Sequence, residues 1–547
     1  MVTYLVEKTE GIPLFVEELT RALFERTPAS GEVSAEVPLP VTLHELLLAR
    51  LDPLPPEQKE LAWMGSVFGR SFTRAQLAAL SPRDDTLLRR DLEELVAAGV
   101  LRPSGAGREP RYEFRHALIQ DAAYQSLLRT QRRQYHRRIA ELLATPPPGV
   151  EGAPPELVAH HHAQAGAVEP ALSWWMQAGA LAMRRSAHVD AVTHYTRALR
   201  LLQKLPEGPE RDRQELALQL ALGAPLMSTR GYAAPEVRET YARALELSRR
   251  MGDDAQLFPS VLGLWQFYMV GGEARVSAEL GRQLLAQAER TQEPVMLMLA
   301  YRALGTSLML LGELVACREH MERGLLLYDR EKHGMLALRF GQDPGVTNGL
   351  YLSWSLWFLG HVDQSVVAAR KALALARSLE HPLSIAFALN YLAAVHNYRG
   401  EHATAQALAE EAGVISSEHR LALWLAMSKI QRGWAALATA PGEGVALLEE
   451  GISGWQQTGA GSGLTYFLYV LGWGQRRAGQ LHAAMKTLER AEAIMRTQGE
   501  RFYEAGLWCL RGELTQASGT GHEALAEECF RRGLEVARQQ RTKSWEL

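Results

Sequence analysis

Ala191-Val-Thr-His-Tyr195-Thr-Arg-Ala198 and Val237-Arg-Glu-Thr-Tyr241-Ala-Arg-Ala244 decide how this 547-residue chain is read. In each stretch, residues seven apart bracket an aromatic. On a helix that interval is about two turns, so the bracketing residues share a face and let a neighbouring backbone approach. Working outward, a turn residue stands five positions before the first small one. Ser186/Ala191/Ala198, Gly312/Cys317/Gly324, Gly360/Ser365/Ala372 and Gly400/Ala405/Ala412 fit this frame. So do Pro441/Ala446/Ser453, Gly479/Ala484/Ala491 and Gly521/Ala526/Gly533, while Val237/Ala244 and Gly272/Ser277 are weaker members. The middle positions run 191, 237, 277, 317, 365, 405, 446, 484 and 526. A glycine ends the first helix of each pair where the chain must turn. Nine units with a period near 40 predict a solenoid of paired helices over residues 156–547.

The small-aromatic-small order resembles the second helix of tetratricopeptide repeats, over about residues 156–540. The period departs from the 34 residues of that repeat, which longer helices explain. A HEAT or armadillo array also repeats at 40–47 residues, without this glycine-plus-small signature. The resemblance implies a surface that binds protein rather than one that does chemistry.

Composition agrees with a folded, water-facing chain: 47% of residues are hydrophobic and 22% charged. Fifty-nine Lys and Arg against 62 Asp and Glu leave a net charge of −3, which removes any global pull toward nucleic acid or anionic lipid. Cys317, Cys509 and Cys529 show no CxxC spacing, so neither a disulfide framework nor a zinc site is expected, and a cytoplasmic location is. The most membrane-like stretch, Val295–Leu314, contains Arg302 and Glu313 and reads as a buried solenoid helix.

Before the repeats, the proline-rich stretch 145–155 (TPPPGVEGAPP) marks a domain boundary. Residues 51–115 read as helices over Pro56–Phe68, Thr73–Leu80 and Asp84–Ala98. A hairpin follows, built on Val100-Leu101 and Tyr112–Arg115, the only plausible strands. That order predicts a winged helix. Gly11-Ile-Pro13-Leu-Phe-Val-Glu-Glu-Leu19 resembles the glycine–x–proline motif in the helical lid of signal-transduction ATPases with numerous domains. Pro40-Val-Thr42-Leu-His-Glu-Leu-Leu-Leu-Ala-Arg50, Tyr112-Glu-Phe114-Arg-His116 and Arg132-Arg-Gln-Tyr135-His136-Arg-Arg138 are similar to the region after the ATPase core in that family. There, cyclase or Ser/Thr kinase domains precede the core and repeats follow it. The expected architecture is therefore all-α: a helical lid remnant (1–50), a winged-helix-like domain with a small β-hairpin plus a following helix (51–145), and tetratricopeptide-like repeats (156–547).

No GxxxxGK[ST] loop and no cyclase or kinase signature occurs in the chain. The reading is a fragment, a split product or a degenerate relative whose engine lies elsewhere, with no catalytic residue, no metal and no cofactor of its own. The resemblance implies ATP or ADP in the parent family. On that basis Pro13 and His116 are the cofactor-facing candidates, should an ATPase core be supplied. His160-His161-His162 point about 100° apart on a helix and cannot close on one ion. Arg89 and Arg90, on the third helix of the winged-helix reading, are the nucleic-acid candidates, although an apolar face of Leu87, Leu88, Leu92, Leu95 and Val96 makes plain solvation the stronger reading. Arg129, Arg132, Arg133, Arg137 and Arg138 form a dense basic stretch, read as the polar face of a helix. Trp265, Trp354, Trp357, Trp434 and Trp473 fall on first helices of the pairs, and those helices usually line the concave face. They are the protein-binding candidates, although taken singly each reads more readily as core. The expected partners are a protein or peptide in the solenoid groove, a second copy, or an upstream ATPase, cyclase or kinase domain. DNA is the weaker partner, and no membrane is expected.

Overall fold

A computed structural model describes residues 15–17, 20, 50–104, 111–145, 152–337, 341–519 and 521–546. The chain divides into two compact units: residues 1–181 with 196–205, and residues 182–195 with 206–547.

Beyond the helical residues described at 15–17, 20 and 50–51, the first unit contains α1 (Pro56–Phe68), β1 (Ser71–Thr73), α2 (Arg74–Leu80) and α3 (Asp85–Ala97), followed by β2 (Leu101–Ser104) and β3 (Arg111–Phe114). Strand β3 lies centrally, antiparallel to both others, in the order β1-β3-β2. The short strand β1 is a correction to the two strands expected. Phe72, its central residue, is buried and packs so closely on α1 that a Cβ on Gly65 would lie 2.5 Å from its ring. Helix α2 then starts at a capping box. The Thr73 hydroxyl accepts from the Gln76 amide, and the Gln76 side chain accepts from the Thr73 amide. On α3 the expected apolar face is realised by Leu88, Leu92 and Leu95, whereas Leu87 is 41% exposed. Helices α4 (Ala117–Ser126), α5 (Arg129–Ala144) and α6 (Pro155–Ala165) follow. Ile119, Ala122, Tyr135 and Ile139 complete one core with the sheet.

Next come α7 (Val168–Arg184) and α8 (His188–Leu202), within which the division between the units falls. The second unit continues as eight helix pairs among the described residues. They are α9 (Pro209–Arg230) with α10 (Pro235–Met251), α11 (Asp254–Gly271) with α12 (Ala274–Thr291), and α13 (Pro294–Leu310) with α14 (Leu314–Leu326). After a short α15 (Arg330–His333) come α16 (Pro344–Phe358) with α17 (Val362–Ser378), and α18 (Pro382–Tyr398) with α19 (His402–Glu418). The last three are α20 (Ala422–Ala436) with α21 (Pro441–Gln457), α22 (Leu464–Arg477) with α23 (Leu481–Gln498), and α24 (Glu504–Ala517) with α25 (Glu523–Gln540). A final turn, α26 (Lys543–Glu546), follows. The two long intervals in the repeat now have causes. The 22-residue α9 lengthens one, and the α15 insertion lengthens the other.

The two helices of a pair bury different amounts of surface. In α18, 13 of 17 residues are buried, whereas α23 buries only Ala484, Leu488 and Ala491 of its 18. First helices therefore form an inner layer enclosed on most sides, and second helices an amphipathic outer layer. Small residues in the expected frame sit between the layers; Ala405 and Ala412 are fully buried. Gly272 and Gly312 hold φ of +90° and +81° at the turn, a conformation that costs other residues a strained backbone.

Successive turns of this superhelix touch directly. The Gly461 and Ser462 amides donate to the Val270 carbonyl at 2.8 and 3.0 Å, and the Arg501 amide donates to Leu310 at 2.6 Å. The Ser544 hydroxyl donates to the Phe358 carbonyl, 186 residues away in sequence. Each bond joins the C-terminal end of an inner helix to the start of the inner helix five pairs later.

Candidate functional site

The inner layer is where sequence reading placed the partner, and it is filled. Trp354 stacks on Tyr391 with ring centroids 4.2 Å apart, Trp357 on Tyr398 at 5.1 Å, and Tyr466 on Tyr503 at 4.9 Å. Trp434 bridges Tyr398 and Tyr466 edge-on, at 5.0 and 5.7 Å. Polar atoms within this stack satisfy one another. The Tyr503 hydroxyl donates to the Tyr398 hydroxyl at 2.7 Å, and the Gln431 amide donates to Tyr466 at 3.1 Å. Trp265, Trp354 and Trp434 thus lie in the core, and the Trp265 indole N–H donates to the Ser307 hydroxyl at 2.9 Å. Trp357 and Trp473 are half-buried, the latter with Arg477 5.0 Å over its ring. An open groove lined by these five tryptophans is not what the inner helices form. Trp265, Trp354, Trp357 and Trp434 pack mainly on inner helices of neighbouring pairs instead.

Arg302, on α13, departs from this mutual satisfaction, as do Asn348 on α16 and the Asn390 Oδ1 on α18. The Arg302 side chain is buried, its Nε has no hydrogen-bond partner, and Nη1 reaches only Gln342 Oε1 at 3.5 Å. The Trp265 ring lies 5.3 Å away. Burial lowers its pKa to about 10.

Pro13 lies outside the described residues. His116 is placed at the start of α4, half-buried, with a buried Nε2 that has no hydrogen-bond partner. Arg89 is exposed. Arg90 lies 3.3 Å from Asp91 and 3.7 Å from Glu94 on its own helix. The groove beside it is lined by Glu57, Asp84, Asp91 and Glu94 against Arg83 and Arg90, an acidic balance that repels a phosphate backbone.

A second groove, of about 770 Å³, has the opposite character. Arg129, Arg132, Arg133 and Arg137 of α5 line it together with Lys204, and no carboxylate does. Its floor is a buried hydrogen-bonded chain. Tyr124 Oη lies 2.9 Å from His136 Nε2, and His136 Nδ1 lies 2.9 Å from His161 Nδ1. Two Nδ1 atoms at that distance need one donor and one acceptor, so at most one proton is shared. Burial holds His136 down to about 4 and His161 to about 3. Both rings are neutral at pH 7. The pairing also explains the histidine triplet: His161 turns inward to His136 rather than toward an ion. Sequence reading missed this groove because Lys204 and the turn after α6 join α5 only in the folded chain.

No family model matches the chain. It is 26% identical over 538 residues to an uncharacterised protein of Rhizobium meliloti (strain 1021), a match covering 97% of this chain and 52% of that protein. The chain therefore spans about half the length of this curated relative. Among solved structures, a Rap protein complexed with competence and sporulation factor matches with a TM-score of 0.51 and 11% identity, over 69% of this chain and 99% of that one. A signal-transduction ATPase with a tetratricopeptide repeat sensor from Pyrococcus horikoshii aligns over 99% of this chain and 71% of that one, with a TM-score of 0.38 and 12% identity. The Rap likeness shows the fold: a tetratricopeptide-like helical solenoid. Among the described residues, no helix is long and apolar enough to cross a membrane.

Proposed function

We propose that this chain is a non-catalytic protein-interaction and regulatory module, the sensor part of a bacterial signal-transduction ATPase. The observation that carries the reading is the stack of paired helices sharing its fold with a Rap protein bound to competence and sporulation factor. By analogy the ligand here is a protein or peptide. The helix–strand–helix–helix–strand–strand order with sheet order β1-β3-β2 supports reading residues 51–145 as a winged helix, and the motif around Pro13 supports a lid remnant over 1–50. Ligand binding would act by favouring one packing of the regulatory elements over another. A second reading has a specific observation behind it. On that reading this chain is the regulatory half of an ATP-dependent, cyclase- or kinase-linked enzyme, which is supported by the relative's being about twice as long.

The test has three arms on the full chain. Partner proteins are captured from a bacterial lysate, purified and titrated back by calorimetry; a saturable complex is expected. Equilibrium dialysis with ATP and ADP should show no binding, and tight retention would move the assignment to the enzyme reading. DNA retention that disappears in Arg89→Gln/Arg90→Gln would move it to a winged-helix transcriptional regulator.

A further inference from the structure

The basic groove on α5 gathers four arginines and Lys204 on one concave surface with no carboxylate in its lining. We infer that it docks an acidic peptide segment of a partner protein, one that alternates carboxylates with an apolar residue. This deepens the protein-interaction reading and rests on it. Trp265, Trp354 and Trp434 are taken up in the solenoid's own core, and this groove offers a partner a separate, charged surface.

Three observations specify the occupant. First, the sign: Arg129, Arg133 and Arg137 stand at i, i+4 and i+8 on one exposed helical stripe, Lys204 joins them, and no carboxylate lines the groove. In a chain of net charge −3 such a field is local, and it steers an anionic segment to one place. Second, two helices begin here. Arg129 and Thr130 open α5, Val168 opens α7, and no side chain caps the α5 N-terminus. The open amides at the start of α5 add to the attraction for carboxylates. Third, Leu128 is 67% exposed immediately before Arg129, an apolar contact beside the cations.

A nucleic-acid strand fits less well. The aromatic face available for base stacking is that of Tyr124, and Arg132 lies over it at 4.9 Å. Arg132 is held there by the Leu127 and Gln125 carbonyls, at 3.1 and 2.9 Å. It is fixed in place as part of the wall.

The experiment is fluorescence polarisation on the full chain with three labelled probes: a Glu/Asp peptide carrying periodic leucines, the same peptide without leucine, and an oligodeoxythymidine of equal charge. Expected is binding of the leucine-containing peptide, weakened by salt and reduced at least about tenfold in Arg129→Gln/Arg133→Gln/Arg137→Gln. Leu128→Ser should weaken that peptide and leave the leucine-free one unchanged. Arg370→Gln, an exposed arginine on α17, is the charge control. Equal binding by the triple variant, with unchanged helicity, sinks the groove. Tighter arginine-dependent binding of the oligonucleotide replaces the peptide with nucleic acid and sinks the proposal too. Either failure leaves the interaction reading standing if the captured partner still binds.

Discussion

Two buried titratable sites should give this molecule opposite local responses to pH. His136 and His161 are neutral in the fold because burial lowers them to about 4 and 3, while the unfolded rings titrate near 6.5. Between those values the unfolded state binds more protons, so their contribution is present above pH 6.5 and is lost as pH falls toward 4. Glu500 runs the other way. Its carboxylate accepts from the Gly463 and Thr465 amides at 2.8 and 3.0 Å and from the Thr465 hydroxyl, capping α22, yet burial pushes it up to about 7. Here the folded state binds more protons, so its contribution is full below about pH 4.5 and is lost as pH rises through 7. Site-resolved hydrogen exchange, expressed as protection factors, should show α5–α6 loosening on acidification and α22 loosening on alkalinisation. Glu500→Gln should flatten the second response and leave the first. Arg302 yields a third expectation. Among the described residues Arg302 makes no ion pair, and the attraction of Asp343 only partly offsets the desolvation of the buried guanidinium, so Arg302→Met should be neutral or stabilising by about 1–4 kcal/mol in thermal unfolding. A loss of 2 kcal/mol or more would show the charge to be compensated.

At the scale of elements, the loop before α22 is the tightest joint. A Cβ on Gly461 would lie 2.2 Å from the Gly271 carbonyl oxygen, a backbone atom with little room to yield. Gly461→Ala should therefore cost about 1–3 kcal/mol and reduce amide protection in both α11 and α22. Gly442→Ala, with open space around its Cβ, should be neutral or slightly stabilising, and equal losses in the two variants would refute the joint. Sequence carried the elements well for a physical reason. Glycines at left-handed turns and small residues at helix contacts are local requirements, and Gly312, Cys317 and Gly324 satisfy them within one pair. Strand β1 escaped notice because three residues hold too little periodicity, and Phe72 shows its role only against Gly65 and the sheet. The tryptophans were legible as inner-layer residues. Their ring partners on other pairs were not, since Tyr391, Tyr398 and Tyr466 lie tens of residues away along the chain.

For the second unit as a whole, contacts between turns predict unusual cooperativity. Ordinary repeat arrays gain stability only from adjacent units and fray from their ends. Here Val270, Leu310 and Phe358 are bonded to residues five pairs downstream. Lys543→Gly/Ser544→Gly, which loosens the last joint beside Gly360, should lower protection in α16 as well as in α26. If protection falls only in α26, the turns are independent. The candidate groove, by contrast, depends on contacts within the first unit, and its charge variants should leave these protections unchanged.

Those joints also bear on how such an array can grow. Duplicating one helix pair lengthens an ordinary solenoid without penalty, because each unit needs only its neighbour. Inserted between α16 and α22, a single extra pair would set Val270 against the wrong loop and shift the Leu310 and Phe358 joints with it. The ancestry of this unit is therefore constrained to additions at the ends or to exchanges that preserve the count within a turn, and internal gains and losses should be rare among its descendants.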